Sequence, residues 1–229
     1  MSWFSKTFNS SIGRKTVMAL SGLFLVIFLI GHVSGNTLLF KDDGGEAFNR
    51  YAEFMTTNQL VQVLRYVTFF SIVIHIIYSI MLTISNRKAR GVGYAVSNAN
   101  QNSTWSSRNM MLLGAIILVF LAVHLRSFLY EMKFGEVPLV QYDGTDEIKN
   151  LYAIVVDAFA NPLYSAFYVF CMLFLALHLF HGFQSTSQTL GFRHPKYNSF
   201  IKKLGYGLGV IVCLLFAYMP VHIYLKTLS

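Results

Sequence analysis

The sequence predicts an all-α integral membrane protein: a bundle of five transmembrane helices with a cytoplasmic N-terminus and an external C-terminus. Three observations lead there: a composition too apolar for water, five apolar runs of spanning length, and a one-sided distribution of charge. Of 229 residues, 55% belong to the AVILMFWYC class, 16% are aromatic and only 12% are charged. A soluble domain averages roughly 25% charge, so disorder, a coiled coil and an ordinary soluble enzyme are poor readings. The two cysteines, Cys171 and Cys213, lie in apolar runs, and no CxxC occurs. That excludes zinc ribbons, dithiol redox chemistry and covalent CxxCH haem attachment. Two small buried hydrophobes are expected instead.

The spans are read at about Thr16–Leu39, Leu60–Ser85, Met110–Tyr130, Leu163–Gln184 and Leu204–Leu225. Each is near the ~20 residues that cross a ~30 Å hydrocarbon core. Helices satisfy every backbone group internally there, and strand-type alternation is absent. The first run follows Lys6, Arg14 and Lys15, as a signal peptide would. It is too long for a signal's apolar core and no cleavage site follows, so a retained span is expected. Between the third and fourth runs, Leu151–Ala160 reads as a short helix at the outer interface, ending at Asn161-Pro162. Residues 1–229 thus form one membrane domain, with no phosphate loop or nucleic-acid motif.

Charge supplies the orientation. With the N-terminus and the loops Arg87–Arg108 and Arg193–Lys203 on one side, that side holds Lys6, Arg14, Lys15, Arg87, Lys88, Arg90, Arg108, Arg193, Lys196, Lys202 and Lys203. No acid accompanies these eleven. All ten acids and the other seven basic residues fall on the opposite side. By the positive-inside rule the basic side is cytoplasmic. The net charge of +8 is then a topology label and calls for no nucleic-acid partner.

In a chain this apolar, histidines are the residues to explain, because ionisable groups within spans are costly. Six of seven lie in or at the ends of spans: His32, His75, His124, His178, His181 and His222. Helix rise converts offset into depth: His32 is about 25 Å and His124 about 24 Å from the inner flanking charges, and His75, His178 and His181 about 18–22 Å. Two histidines therefore lie nearer the outside and at least two nearer the inside. Gly22-x9-His32 in the first span is echoed by Gly114-x9-His124 in the third. Ser79 follows His75 by four residues, and Gly182 follows His178 by four. A small residue one turn from a histidine leaves room for a flat object. Two stacked sites, each with two facing imidazoles, are expected. Haem takes one histidine on each face of its iron. Zinc wants three or four clustered ligands with cysteine or carboxylate neighbours. Haem is the better fit, and proton-relay histidines are the alternative.

The stretch Ser21-Gly-Leu-Phe-Leu-Val-Ile-Phe-Leu-Ile-Gly-His32 resembles the first helix of the single-chain dihaem cytochrome b subunits of succinate dehydrogenase and quinol:fumarate reductase. The likeness continues through Gly114-x9-His124 and His178-x3-Gly182-x8-Gly191, over nearly the whole chain. The resemblance implies two b-type haems, an outer one on His32 with His124 and an inner one on His75 with His178. His181 is the alternative to His178, since it matches the depth of His75 better by the Arg193 count. The polar run Gln184-Ser185-Thr186 and the ligand-four-before-glycine pattern favour His178. His181 then becomes a neighbour facing a haem propionate.

The resemblance further implies a flavoprotein subunit and an iron–sulfur subunit docked on the cytoplasmic face. The anchor would carry electrons between the iron–sulfur clusters and menaquinone in the cell inner (cytoplasmic) membrane. A dimer of such complexes is left open. A quinone site needs a proton donor or acceptor near the outer surface. Glu53 is the first candidate and Glu46 the second. One departure stands out: some fumarate reductases carry a glutamate two residues before the fourth-helix ligand, where this chain has Ala176, or Leu179 if His181 is the ligand. A proton route there is in doubt. Arg126 is open between propionate partner and snorkelling residue, and His194 and His222 receive no role. Two other readings remain: a dihaem anchor of another respiratory dehydrogenase, and a haem-free transporter or scaffold.

Overall fold

The computed structural model describes residues 10–90, 103–144, 146–192 and 194–228. Lys6 and Arg193, two of the eleven basic residues above, lie outside them. The described residues are predominantly helical. In order, they form α1 (Ser11–Asn36) with a 3-10 turn (Thr37–Phe40), α2 (Glu46–Thr57), α3 (Gln59–Arg90) and the single turn α4 (Trp105–Arg108). Next come α5 (Met110–His124), a π-helical turn (Leu125–Tyr130) and α6 (Glu131–Phe134). A small antiparallel hairpin follows, β1 (Leu139–Val140) with β2 (Ile148–Lys149), then α7 (Leu151–Ala160), α8 (Pro162–Thr189) and α9 (Asn198–Leu228). Among the described residues, five helical stretches are long and apolar enough to cross a membrane: Ser11–Phe40, Gln59–Ala89, Met110–Phe134, Pro162–Thr189 and Asn198–Leu228. They overrun the apolar runs at most ends because helix continues into the flanking polar residues. The hairpin was not expected; strands of two residues are too short for alternation to register.

Helix starts follow local capping chemistry. Ser10 Oγ accepts the Gly13 N–H, and Asn58 Oδ1 accepts those of Leu60 and Val61. Asn161 Oδ1 accepts from Leu163 and Tyr164 behind Pro162, which has no N–H to satisfy. Before α2, Asp43 accepts the N–H groups of Gly45 and Ala47. Gly45 sits at φ 89°, and a Cβ there would run into the Tyr152 ring. Only glycine suits that position. Along α3, Leu60, Val63, Val67, Phe70, Val73, Ile77, Ile80 and Ile84 form an exposed apolar stripe at helical spacing. Water would penalise such a stripe, whereas lipid would cover it.

The contacts divide the chain into two compact units. The first comprises Met1–Phe28, Val67–Ala115 and Ala176–Gly209. Arg14 Nη1 bonds Ser85 Oγ at 3.3 Å, joining α1 to α3. Gly205 and Gly209 of α9 let the Phe183 and Phe180 rings of α8 approach its backbone, the small-residue packing that suits helices in lipid.

The second unit comprises Leu29–Tyr66, Ile116–Leu175 and Val210–Ser229. Its core includes Val33, Leu39, Phe48, Val155, Phe159, Met172, Met219 and Ile223, with Cys171 and Cys213 buried as free thiols. Asn49, fully buried, ties it together. Its Nδ2 donates to Tyr142 Oη and Asn150 Oδ1, both at 2.9 Å, and its Oδ1 accepts the Tyr152 N–H at 2.8 Å. One side chain thereby joins α2, the hairpin segment and the first turn of α7. Asn150 caps that turn too, accepting from Ala153.

Candidate cofactor site

Each unit brings two imidazoles together. In the second unit, His32 of α1 and His124 at the end of α5 have ring centres 5.9 Å apart and planes at 87°. In the first, His75 of α3 and His178 of α8 lie 6.2 Å apart, with planes at 64°. Two imidazoles on opposite faces of one iron sit about 6 Å apart, from metal–nitrogen bonds of about 2 Å and ring centres about 1.1 Å behind each nitrogen. Both separations match. Among the described residues no three His, Cys, Asp or Glu side chains gather as a metal set; these imidazoles meet in twos.

The surroundings pass a second test. His178 Nδ1 is buried without a hydrogen-bond partner, and such an orphan costs about 1–3 kcal/mol unless something engages the ring. Ser21 Oγ lies 3.2 Å from His75 Nδ1 and donates its one proton to the Met18 carbonyl at 3.1 Å. With that proton on the carbonyl, the oxygen is free to accept from a His75 Nδ1–H, the tautomer that leaves the Nε2 lone pair for a metal. Gly182, one turn beyond His178 and half-buried, has open space where a Cβ would stand. The donor set and the space around it fit haem.

Gly22, half of the Gly22-x9-His32 repeat, has its neighbour on another helix. A Cβ on Gly22 would lie 3.3 Å from His75 Cε1, so this glycine admits the imidazole of another helix. Ten residues of helix rise about 15 Å, which puts Gly22 too far along α1 to make room at His32.

Around His124 the wall is aromatic: Phe120 stacks at 5.7 Å, Phe128 lies at 5.2 Å and Tyr168 at 6.1 Å. Phe216 lies 5.5 Å from His32, and Asn36 Nδ2 is 3.4 Å from His32 Nδ1. Tyr168 Oη reaches His124 Nδ1 at 3.4 Å and Tyr164 Oη at 2.9 Å, and Tyr164 donates to Ser127 Oγ at 2.7 Å. Sequence reading passed over these three hydroxyls. The available signal was Tyr164-x3-Tyr168, two hydroxyls one turn apart in an apolar span.

The other expected residues separate. His181 lines a cavity of about 130 Å³ with Gln184, Gln188, Asn198 and Lys202. Glu53 is half-buried on α2, where its carbonyl accepts from the Thr56 and Thr57 hydroxyls. Glu46 pairs with Arg50 at 2.7 Å. Arg126 is 61% exposed, paired with Glu131 and stacked 4.3 Å over the Tyr130 ring, so its charge is met locally. His222, given no role from sequence, packs between Phe40 and Tyr218 with Nε2 buried and unpartnered. Position 176 is alanine on α8, so that point carries no carboxylate. The chain matches no family model, no curated protein and no solved structure.

Proposed function

We propose that this chain is the haem b membrane-anchor subunit of a succinate:quinone oxidoreductase. The observation that carries the haem assignment is the pair of imidazole separations, 5.9 and 6.2 Å, the span across which two histidines would hold one haem; the partner subunits rest on the sequence resemblance. His32 and His124 would hold one haem, and His75 and His178 the other. When bound, the haems supply one-electron transfer between an iron–sulfur subunit and membrane menaquinone. The protein's own part is to orient the imidazoles, as Ser21 does at His75. It also walls the His124 ring with Phe120, Phe128 and Tyr168, which excludes water from the metal.

The basic flanks argue for a cytoplasmic N-terminus in the cell inner membrane, with flavoprotein and iron–sulfur subunits on that face. The dicarboxylate chemistry belongs to those subunits. Glu53 is the carboxylate put forward for the quinone, and His222, with its unpartnered nitrogen, is a second group of the right chemistry.

Purified protein should show a b-type α-band on dithionite reduction and two haems per chain by pyridine haemochrome. His32→Ala or His124→Ala should each leave one haem, and His75→Ala or His178→Ala should leave the other. His181→Ala should keep both. No α-band would sink the reading in favour of a haem-free scaffold or transporter. Haem without co-purifying covalent flavin and succinate activity would move it to another respiratory dehydrogenase.

A further inference from the structure

We infer that Tyr168, backed by Tyr164 and Ser127, is a positioning residue that holds His124 in its Nδ1–H form and strengthens its Nε2 as an iron ligand. The inference rests on the haem reading above and extends it to side chains that touch no metal.

Counting protons gives the direction of the chain. A phenol has one proton to donate. Tyr164 donates its own to Ser127 Oγ at 2.7 Å. Its oxygen can therefore only accept in the 2.9 Å contact with Tyr168 Oη, so Tyr168 is the donor there. That leaves Tyr168 with no proton for His124, and its oxygen must accept from Nδ1–H across 3.4 Å. The tautomer of His124 is thus set three residues away, at Ser127.

The geometry around this relay keeps it in place. Tyr168 is buried at 5% exposure, with Phe159 at 5.0 Å edge-on to its ring and Phe120 at 5.0 Å. Ser127 belongs to the π-helical turn that follows His124 directly. Such turns shift the residues beyond them around the helix axis and cluster at functional sites. Here the turn carries the hydroxyl that ends the relay. His75 obeys the same logic through Ser21, whose single proton goes to the Met18 carbonyl. One imidazole of each pair is therefore fixed as Nδ1–H by an oxygen whose own proton is committed elsewhere.

An acceptor on Nδ1–H makes an imidazole more basic and favours ferric iron over ferrous. Removing it should raise the midpoint potential of the haem on His124. Loss of such a partner typically changes metal affinity 10–100-fold. A tenfold change in the ferric-to-ferrous preference is 59 mV for one electron.

The experiment is a spectroelectrochemical titration of the purified complex bearing Tyr168→Phe. A rise of about 59 mV in one haem, with the other unmoved, supports the inference. Tyr164→Phe leaves the Tyr168 oxygen in place but takes away the acceptor for its proton, so a smaller rise in the same haem is expected. Two haems with wild-type potentials in both variants would overturn the inference and leave the proposed function standing. Absence of haem from the wild-type protein would overturn both. If Tyr168→Phe loses its haem outright, Tyr164→Phe decides: a raised potential supports the inference and an unchanged one overturns it.

Discussion

Replacing Asn49 with alanine removes a buried side chain that makes three hydrogen bonds. The Tyr152 N–H belongs to the first turn of α7, where no carbonyl of the same helix can reach it; Asn49 Oδ1 is its acceptor. Stranding that buried donor costs about 1–3 kcal/mol. The bonds to Tyr142 and Asn150 are each worth about 1 kcal/mol. Tyr142 is half-exposed and Asn150 keeps its bond to Ala153, so little is added beyond those bonds. The total is about 3–5 kcal/mol. Tyr142→Phe removes one bond of the same set and should cost about 1 kcal/mol. The assay is amide hydrogen exchange in detergent micelles. For Asn49→Ala, exchange at Tyr152 should accelerate roughly 100-fold, the factor that about 3 kcal/mol produces. Tyr142→Phe should leave that amide within about tenfold of wild type. A Tyr152 amide that exchanges equally fast in wild type and Asn49→Ala would refute the view that Asn49 caps α7.

Two further predictions concern other contacts. Gly22→Leu would drive carbons into the space held by His75 Cε1 and Thr186 Oγ1, which lie 3.3 and 3.8 Å from a Cβ at that position. One haem per chain should be lost while Gly22→Ala keeps two, and two haems in Gly22→Leu would refute the close approach. Lys226 Nζ donates to Asp42 Oδ1 at 2.9 Å, and this bond, with the lysine's charge, holds the Asp42 carboxyl below its usual range. A depressed folded pKa stabilises the fold above the unfolded value of about 3.9, and that contribution is lost as pH falls through the folded value. Lys226→Met should raise the Asp42 midpoint in a 13C NMR titration, and an unchanged midpoint would refute the pairing.

Much of the helical framework is legible along the chain. Leu151–Ala160 was bounded to the residue because its apolar run ends at the Asn161-Pro162 stop, both local signals. The five long helices were legible because apolarity sustained over spanning length is a property of sequence alone. Their true ends were less so, since capping by Ser10 or Asn58 extends a helix beyond its apolar portion. The hairpin went unread because its pairing, Leu139 with Lys149 and Val140 with Ile148, rests on contacts outside the two short strands.

The candidate site divides the same way. Histidines in apolar spans announce themselves, because the membrane makes every ionisable group there expensive. Their partners do not. Gly22 entered the sequence only as part of a spacing repeat with His32, and that it lies against His75 could not be read there, because the rotation of one helix against another decides what a missing side chain makes room for. The relay from His124 through Tyr168 and Tyr164 to Ser127 joins positions 44, 4 and 37 residues apart. No one-dimensional pattern records such a path.

By itself, then, the sequence determined the class of molecule, the number and approximate limits of its long helices, and the histidines that require explanation. These follow from the price of polarity in an apolar medium, which each segment meets alone. Depth and resemblance already paired the imidazoles and favoured His178 over His181; only tertiary structure decided how closely the rings approach and which hydroxyls bear on them. Those outcomes depend on helix rotation and on the path of the π-helical turn, set by packing among residues far apart in the chain.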